Sequence, residues 1–160
     1  MKYLQSTSAG RDEARDDNTA WCSSFANWCM ENGSSYHGTG SAAASSWLNW
    51  GEEIAEPRYG AITIVTRAKS PNVLYHMGFF LRIDKKNIEI GEEEVEKIGR
   101  DGKAKKIKKK KYKSVDAVNI LSGNYSDKIR EASGWTVNAE DDPVSHLVSY
   151  RWPTNKEKRK

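Results

Sequence analysis

The sequence predicts an α+β fold in which N-terminal helices pack on an antiparallel β-sheet. Two stretches with a helical spacing of apolar residues come first, and a series of strand-like segments follows them. This order is typical of α+β proteins, because consecutive strands with no helix between them pair antiparallel in a meander. At 160 residues, the chain is long enough for one domain with a single core.

The first predicted helix begins close to the first cysteine. Apolar residues recur with helical spacing at Trp21, Cys22, Phe25, Trp28 and Cys29. We expect Asn18 or Thr19 to cap the helix, because either side chain accepts a hydrogen bond from an N–H of the first turn. Gly33 predicts its end, and a shorter second helix is predicted over 41–50, stopped by Gly51.

The strand-like segments begin after Pro57, which acts as a breaker. They cover 60–66, 75–83, 88–95, 107–112, 115–122, 128–132 and 147–152. The charged segments 88–95 and 107–112 are expected to pair through a turn near Gly99 to Gly102. The last segment is expected to close the sheet.

Basic residues are concentrated in one part of the chain. Residues 103–113 hold eight lysines and no acidic residue, although the net charge of the whole chain is only +4. A solvated hairpin is the simplest interpretation, with the acidic run 92–94 pairing with the lysines across the strands. Weak adhesion to an anionic wall polymer is an alternative. The segment lacks an arginine fork and interleaved stacking aromatics, so no nucleic-acid partner is expected.

These features predict one domain over 1–153, in which 84–118 form a charged β insertion, followed by a frayed basic tail at 154–160. No run of eighteen apolar residues is present, so no membrane span is expected. The N-terminus lacks the apolar core of a signal peptide, so we expect a protein made in the cytoplasm. Cys22 and Cys29 would lie roughly 10 Å apart on one helix, too far for a disulfide. No metal-ligand spacing occurs, so no metal or cofactor is expected.

Cys22 is the candidate nucleophile. At a helix N-terminus the positive end of the helix dipole and the unpaired N–H groups favour a thiolate. A free cysteine is also often a small buried apolar residue, and that alternative stays open for Cys22. Cys29, two turns later on the same face, is interpreted as core.

His76 is the candidate base. It begins an apolar strand, and Gly78 beside it allows another backbone or a ligand to approach closely. A rigid strand also aims an imidazole better than a loop does. His37, in a glycine-rich loop, and His146, near the end of the chain, are the rival histidines.

A third group is expected to orient the imidazole by hydrogen-bonding its second nitrogen. Asn124 is the first choice, at a turn after the 115–122 strand. Glycine followed by asparagine is also an ordinary turn pair. Asp127 and Asp84 are the competing candidates.

Several blocks of the chain resemble a known family. They are 21–30 (Trp-Cys-Ser-Ser-Phe-Ala-Asn-Trp-Cys-Met), 38–51, 60–62, 76–79 (His-Met-Gly-Phe), 123–127 and 150–153. These blocks are similar to papain-like cell-wall hydrolases of bacteria and phages, the CHAP (cysteine, histidine-dependent amidohydrolase/peptidase) and NlpC-type enzymes. Three departures are visible. Tyr75 replaces a glycine that often precedes the family's histidine, Ser122 and Tyr125 replace residues that flank its asparagine, and 84–118 look inserted.

The resemblance implies a papain-like fold and a cysteine amidase or peptidase that cleaves an amide bond of peptidoglycan through a thioester. It implies Cys22 as nucleophile, His76 as base and Asn124 as the orienting residue. Substrate contacts would come from Trp21, Ser23, Trp47, Trp50 and Tyr75, although tryptophans on helix faces are more often core. Gln5 and Tyr3 lie where an additional oxyanion donor would come from.

Such an enzyme would act at the bacterial cell wall or periplasm after export or lysis. It would serve as a phage lysin (endolysin) or as an antibacterial toxin, and a toxin would have an immunity protein as its inhibitor. Two other classes of function stay open from the sequence. They are a catalytically inactive wall-binding module and a basic nucleic-acid-binding domain.

Overall fold

A computed structural model describes residues 21–69, 72–123 and 128–160, which form a mostly β structure with 55% strand. The described helices are α1 (Cys22–Gly33) and a 3₁₀ helix (Ala44–Asn49). The strands are β1 (Glu52–Ile54), β2 (Ile62–Lys69), β3 (Asn72–Ile98), β4 (Ala104–Gly123), β5 (Ile129–Thr136) and β6 (Ser145–Trp152).

Five of the strands close into a β-barrel. The sheet order is β1-β6-β2-β3-β4-β5, and a further pairing joins β5 back to β6. The prediction of a papain-like α+β fold with helices on an antiparallel sheet is therefore wrong. Twisted antiparallel strands curl, and closure removes the unpaired edges that an open sheet would leave. The last predicted strand does close the sheet, since β6 pairs with both β2 and β5.

The core has two layers, one on each side of the barrel wall. The interior holds Ala61, Val65, Phe80, Val118, Ile120, Trp135 and Tyr150. The outer layer joins α1 and the 3₁₀ helix to the barrel through Cys22, Ala26, Met30, Trp47, Trp50, Ile62, Ile64 and Met77. Both faces of β2 are buried along residues 62–66, because successive strand residues point to opposite faces and each of these residues is buried.

Both predicted helices exist, with local differences. The helix α1 ends at Gly33 as predicted, but its N-cap is Trp21, which makes no side-chain cap hydrogen bond. Asn18 and Thr19 lie outside the described residues. The second helix is a single 3₁₀ segment rather than an α-helix over 41–50. Gly51 ends it at a φ of 61°, and a Cβ there would lie 2.2 Å from the carbonyl oxygen of Trp152.

Beyond the barrel, β3 and β4 continue as a two-stranded ribbon, defined here as residues 85–116. The ribbon turns through Gly99 and Gly102, where the predicted charged strands were expected to meet. Acidic residues 92–94 lie opposite 108–110, which confirms the predicted cross-strand pairing. The sequence divides each long strand in two, and the structure shows each as continuous.

The C-terminal residues are fixed and not frayed, contrary to the prediction for 154–160. Arg159 donates hydrogen bonds to the carbonyl oxygens of Glu31 and Ser34 at the end of α1. The Glu157 carboxylate accepts from the backbone N–H groups of Gly51 and Thr154. The tail therefore ties the end of α1 to the turn that precedes β1.

Candidate active site

Cys22 is the first residue of α1, as the sequence predicts, but it is buried at 4% exposure. Burial raises the pKa of the Cys22 thiol above its usual value. The nearby backbone amides of Met77, Ser23 and Cys22 itself lower the pKa, but the effect of burial is larger. The expectation of a favoured thiolate is therefore wrong for this arrangement, and the resting thiol is neutral.

His76 lies on β3 opposite Val65 of β2, and its ring is held from two sides. Its Nε2 is 3.1 Å from the Oγ of Ser122, and the ring stacks on Trp135 with centroids 5.5 Å apart. Gly78 makes this possible, because a Cβ there would lie 2.6 Å from the carbonyl oxygen of Leu121 and 3.0 Å from the Cβ of Ser122. The close approach expected at Gly78 is present, and the neighbour that comes close is strand β4.

The electrostatic surroundings keep the imidazole uncharged. Burial and, as a smaller effect, the charge of the nearby Arg67 guanidinium lower the pKa of His76 to about 4. Arg67 lies over the other partner of the histidine, with its Cζ 5.2 Å from the centroid of the Trp135 ring. At neutral pH the candidate base is therefore unprotonated and able to accept a proton.

Cys22 and His76 occupy neighbouring positions without a direct hydrogen bond. The sulfur contacts the amide of Met77, the residue that follows His76 in β3. Met77 packs in the Cys22 layer, whereas His76 packs on Trp135 of the interior layer, as expected for consecutive strand residues. The Nδ1 of His76 has no hydrogen-bond partner among the described residues. Because the imidazole and the thiol lie on opposite faces of β3, this nitrogen does not face the thiol.

Four of the five predicted substrate contacts are structural. Trp21, Ser23, Trp47 and Trp50 are all buried, with exposures of 5% or less. The Oγ of Ser23 accepts from the Nε1 of Trp47 at 2.8 Å and donates to a backbone carbonyl. The Nε1 of Trp50 donates to the carbonyl oxygen of His37. These four predictions are wrong for this arrangement, since none presents a face to a substrate, whereas Tyr75 is 38% exposed.

The remaining candidates lie elsewhere. The rival His37 pairs with Glu31 at 3.2 Å, and His146 contacts the carbonyl oxygen of Asp142. Asp84 accepts hydrogen bonds from Arg82 and Asn119 on the outer part of β3 and β4. Asn124, Asp127, Gln5 and Tyr3 lie outside the described residues.

No local sequence signal identified the groups that hold His76. Ser122, Trp135 and Arg67 come from three different strands and belong to no local motif. Ser122 appeared only as a departure beside Asn124. The available signal was Gly78, because a strand glycine marks a place where another strand comes close, and that strand carries Ser122.

A cavity of about 470 Å³ lies beside the second half of α1, away from Cys22. Its wall includes Cys29, Trp28, Tyr36, Phe79 and Trp152. Cys29 is half-buried here and not fully in the core as predicted. Burial raises its pKa to about 11, so it is a weak nucleophile at neutral pH.

Within residues 21–69, 72–123 and 128–160, no cluster of three or more potential metal ligands occurs. In the same residues, no helix is long and apolar enough to cross a membrane. Comparison with family models, curated proteins and solved structures finds no match to this chain.

Proposed function

We propose that this protein is a cysteine-dependent amidohydrolase that acts on peptidoglycan, with Cys22 as nucleophile and His76 as base. One observation carries the proposal. Cys22 begins α1 beside the backbone of Met77, the residue that follows His76 in β3, and the imidazole of His76 is uncharged at neutral pH. The choice of peptidoglycan rests on the sequence resemblance to cell-wall hydrolases.

The proton states define the mechanism. The thiol and the imidazole are both neutral at rest and lie on opposite faces of β3, so the mechanism requires the ring to leave Trp135 and reach the thiol. The proton then leaves Sγ for the imidazole as sulfur attacks the amide carbonyl carbon. The amides of Cys22, Ser23 and Met77 stabilise the charge that develops at sulfur. The imidazolium then protonates the leaving amine, and the C–N bond breaks to leave a thioester. Water, deprotonated by His76, hydrolyses the thioester and restores the thiol.

Ser122 and Trp135 set the resting position of the imidazole. The Ser122 hydroxyl contacts Nε2 and the ring stacks on Trp135, so both residues hold the imidazole on the interior face of β3. Ser122 is, among the described residues, the side chain that hydrogen-bonds the imidazole, which is the contact that the sequence resemblance assigns to Asn124.

The test is digestion of purified peptidoglycan with the parent chain and with Cys22→Ala. We expect release of new amines by the parent and a loss of about a thousandfold or more in Cys22→Ala, because the thioester cannot form. Cys29→Ala is the matched control, a second cysteine on the same helix, and should keep its activity. Mass spectrometry of the muropeptides identifies the bond. Equal amine release by the parent and Cys22→Ala would contradict the proposal.

The pH profile tests the proton states. We expect kcat/KM to be constant between about pH 6 and 8 and to fall in acid with an apparent pKa of about 4, because only neutral His76 accepts the thiol proton. A profile whose acid limb lies near pH 6.5 would show that the imidazole is not buried during catalysis.

A catalytically inactive wall-binding module is the second candidate. The buried thiol and the absence of a Cys22–His76 hydrogen bond favour it. For such a module, the parent and Cys22→Ala would bind peptidoglycan equally and neither would release amines.

A further inference from the structure

The two faces of the ribbon differ in charge. On β4, the odd-numbered residues 105–115 and the β3 residues opposite them form one side, called here the basic face. The even-numbered residues 106–116 and their partners form the other side, called the neutral face. The basic face has six lysines against one glutamate, a net charge of +5, whereas the neutral face has four lysines against five carboxylates.

The neutral face is organised for stability. Three successive cross-strand pairs place a glutamate opposite a lysine, namely Glu92–Lys110, Glu94–Lys108 and Glu96–Lys106. Opposite charges directly across an antiparallel pair stabilise the hairpin. The charges of the neutral face therefore nearly cancel, so this face attracts a charged partner only weakly.

The basic face lacks this compensation at its outer end. Lys97 lies directly opposite Lys105, and like charges in that position destabilise a hairpin. Near the barrel, Lys113 and Lys86 are each 3.6 Å from an aspartate of the 141–142 loop. By contrast, Lys97, Lys105 and Lys109 make no ion pair within the described residues and are exposed. A like-charge pair that costs stability at an exposed surface indicates that this surface binds a ligand.

We propose that the basic face binds a flexible phosphodiester polymer without bases, the chemistry of the anionic polymers of bacterial cell walls. The charge of the face is complementary to such a chain, and successive lysines such as Lys109 and Lys111 are about 6.8 Å apart along the strand. The face carries no arginine and no aromatic ring for base recognition, since Tyr112 belongs to the neutral face. Its one fully apolar cross-strand pair, Val95 and Ile107, is too small to insert into a bilayer. This binding is independent of the proposed hydrolysis.

The experiment measures binding of the full chain to poly(glycerol phosphate) at low salt. The first variant is Lys97→Gln, Lys105→Gln and Lys109→Gln on the basic face. The matched control is Lys106→Gln, Lys108→Gln and Lys110→Gln on the neutral face, which removes the same charge. We expect the first variant to bind about tenfold more weakly and the control to stay within about threefold of the parent, with affinity falling as salt rises.

Unfolding does not explain the expected loss, because the first variant removes the Lys97–Lys105 repulsion together with one opposite-charge pair, Lys109–Glu93. The control loses three opposite-charge cross-strand pairs and should be the less stable of the two. Equal weakening in both variants would overturn the assignment to one face. Tighter binding to duplex DNA or to phosphatidylglycerol vesicles than to poly(glycerol phosphate) would overturn the choice of ligand. Cys22→Ala should bind the polymer as the parent does, which separates this test from that of hydrolysis.

Discussion

The two ends of β4 show two ways of stabilising a strand. At the barrel end, Val118 and Ile120 are fully buried, while at the ribbon end Ile107 is 40% exposed. The barrel end is held by apolar area removed from water, and the ribbon end by cross-strand pairs of charged side chains. Burial of a large aliphatic side chain contributes about 1.5–3 kcal/mol, whereas a cross-strand pair contributes about 0.2–1 kcal/mol. The ribbon is therefore an extension that the barrel supports.

The strongest test of this difference is the same substitution at both ends of β4. Ile120→Ala should lower the free energy of unfolding by about 2–5 kcal/mol, because it leaves a cavity in the barrel interior. Ile107→Ala should lower it by less than about 1 kcal/mol, because its side chain is already partly in water. Urea denaturation measures both values. Similar losses at the two sites would mean that the ribbon has a core of its own.

The second test concerns the buried histidine of the barrel. The folded state holds the pKa of His76 at about 4, below the ordinary value of 6.5, so the unfolded chain binds the proton first as pH falls. The stabilisation is complete above pH 6.5 and is lost as pH falls towards 4, a change of about 3 kcal/mol. His76→Gln should remove this part of the pH dependence.

His37→Gln is the matched control for that measurement. The side chain of His37 is 59% exposed, so this variant controls for the replacement of a histidine outside the barrel interior. The comparison is made between parent and variants at each pH, because carboxylates also titrate in this range. The same acid-induced loss in His76→Gln and the parent would show that His76 is solvated in the folded protein.

The smallest expected effect is on the ribbon alone. Lys97→Glu replaces the repulsion with Lys105 by an attraction, which should stabilise the outer ribbon by about 0.2–1 kcal/mol. Amide hydrogen exchange of residues 95–107 should slow, while exchange in β2 should not change. Faster exchange in the ribbon would mean that Lys97 and Lys105 do not face each other.

The local spacing of apolar residues was enough to predict one helix and one strand of the fold. The apolar spacing from Trp21 onward located α1, and the β-branched run after Gly60 located β2. The length of β3 was not predicted, because the polar residues 84–87 separate the two predicted segments and carry no apolar period. The closure of the barrel was also not predictable, because it depends on contacts between strands far apart in the chain.

The candidate site shows the same limit. The positions of Cys22 and His76 followed from helix and strand signals, but their surroundings did not. Ser122 lies 46 residues from His76 in the chain, so no local motif joins them. The direction of the pKa shift of the Cys22 thiol was predicted wrongly for the same reason. The burial that raises this pKa comes from the tertiary packing of α1 on the barrel.

The closure of the barrel is unequal around its circumference. Strands β2 and β3 share eight paired positions, whereas β5 and β6 meet at the single parallel pair Thr136 and His146. Parting one pair needs far less free energy than parting eight, so subglobal opening should start at this seam. Trp135, beside Thr136, covers His76. Water would therefore reach the imidazole when β5 opens locally, before the remaining strands separate.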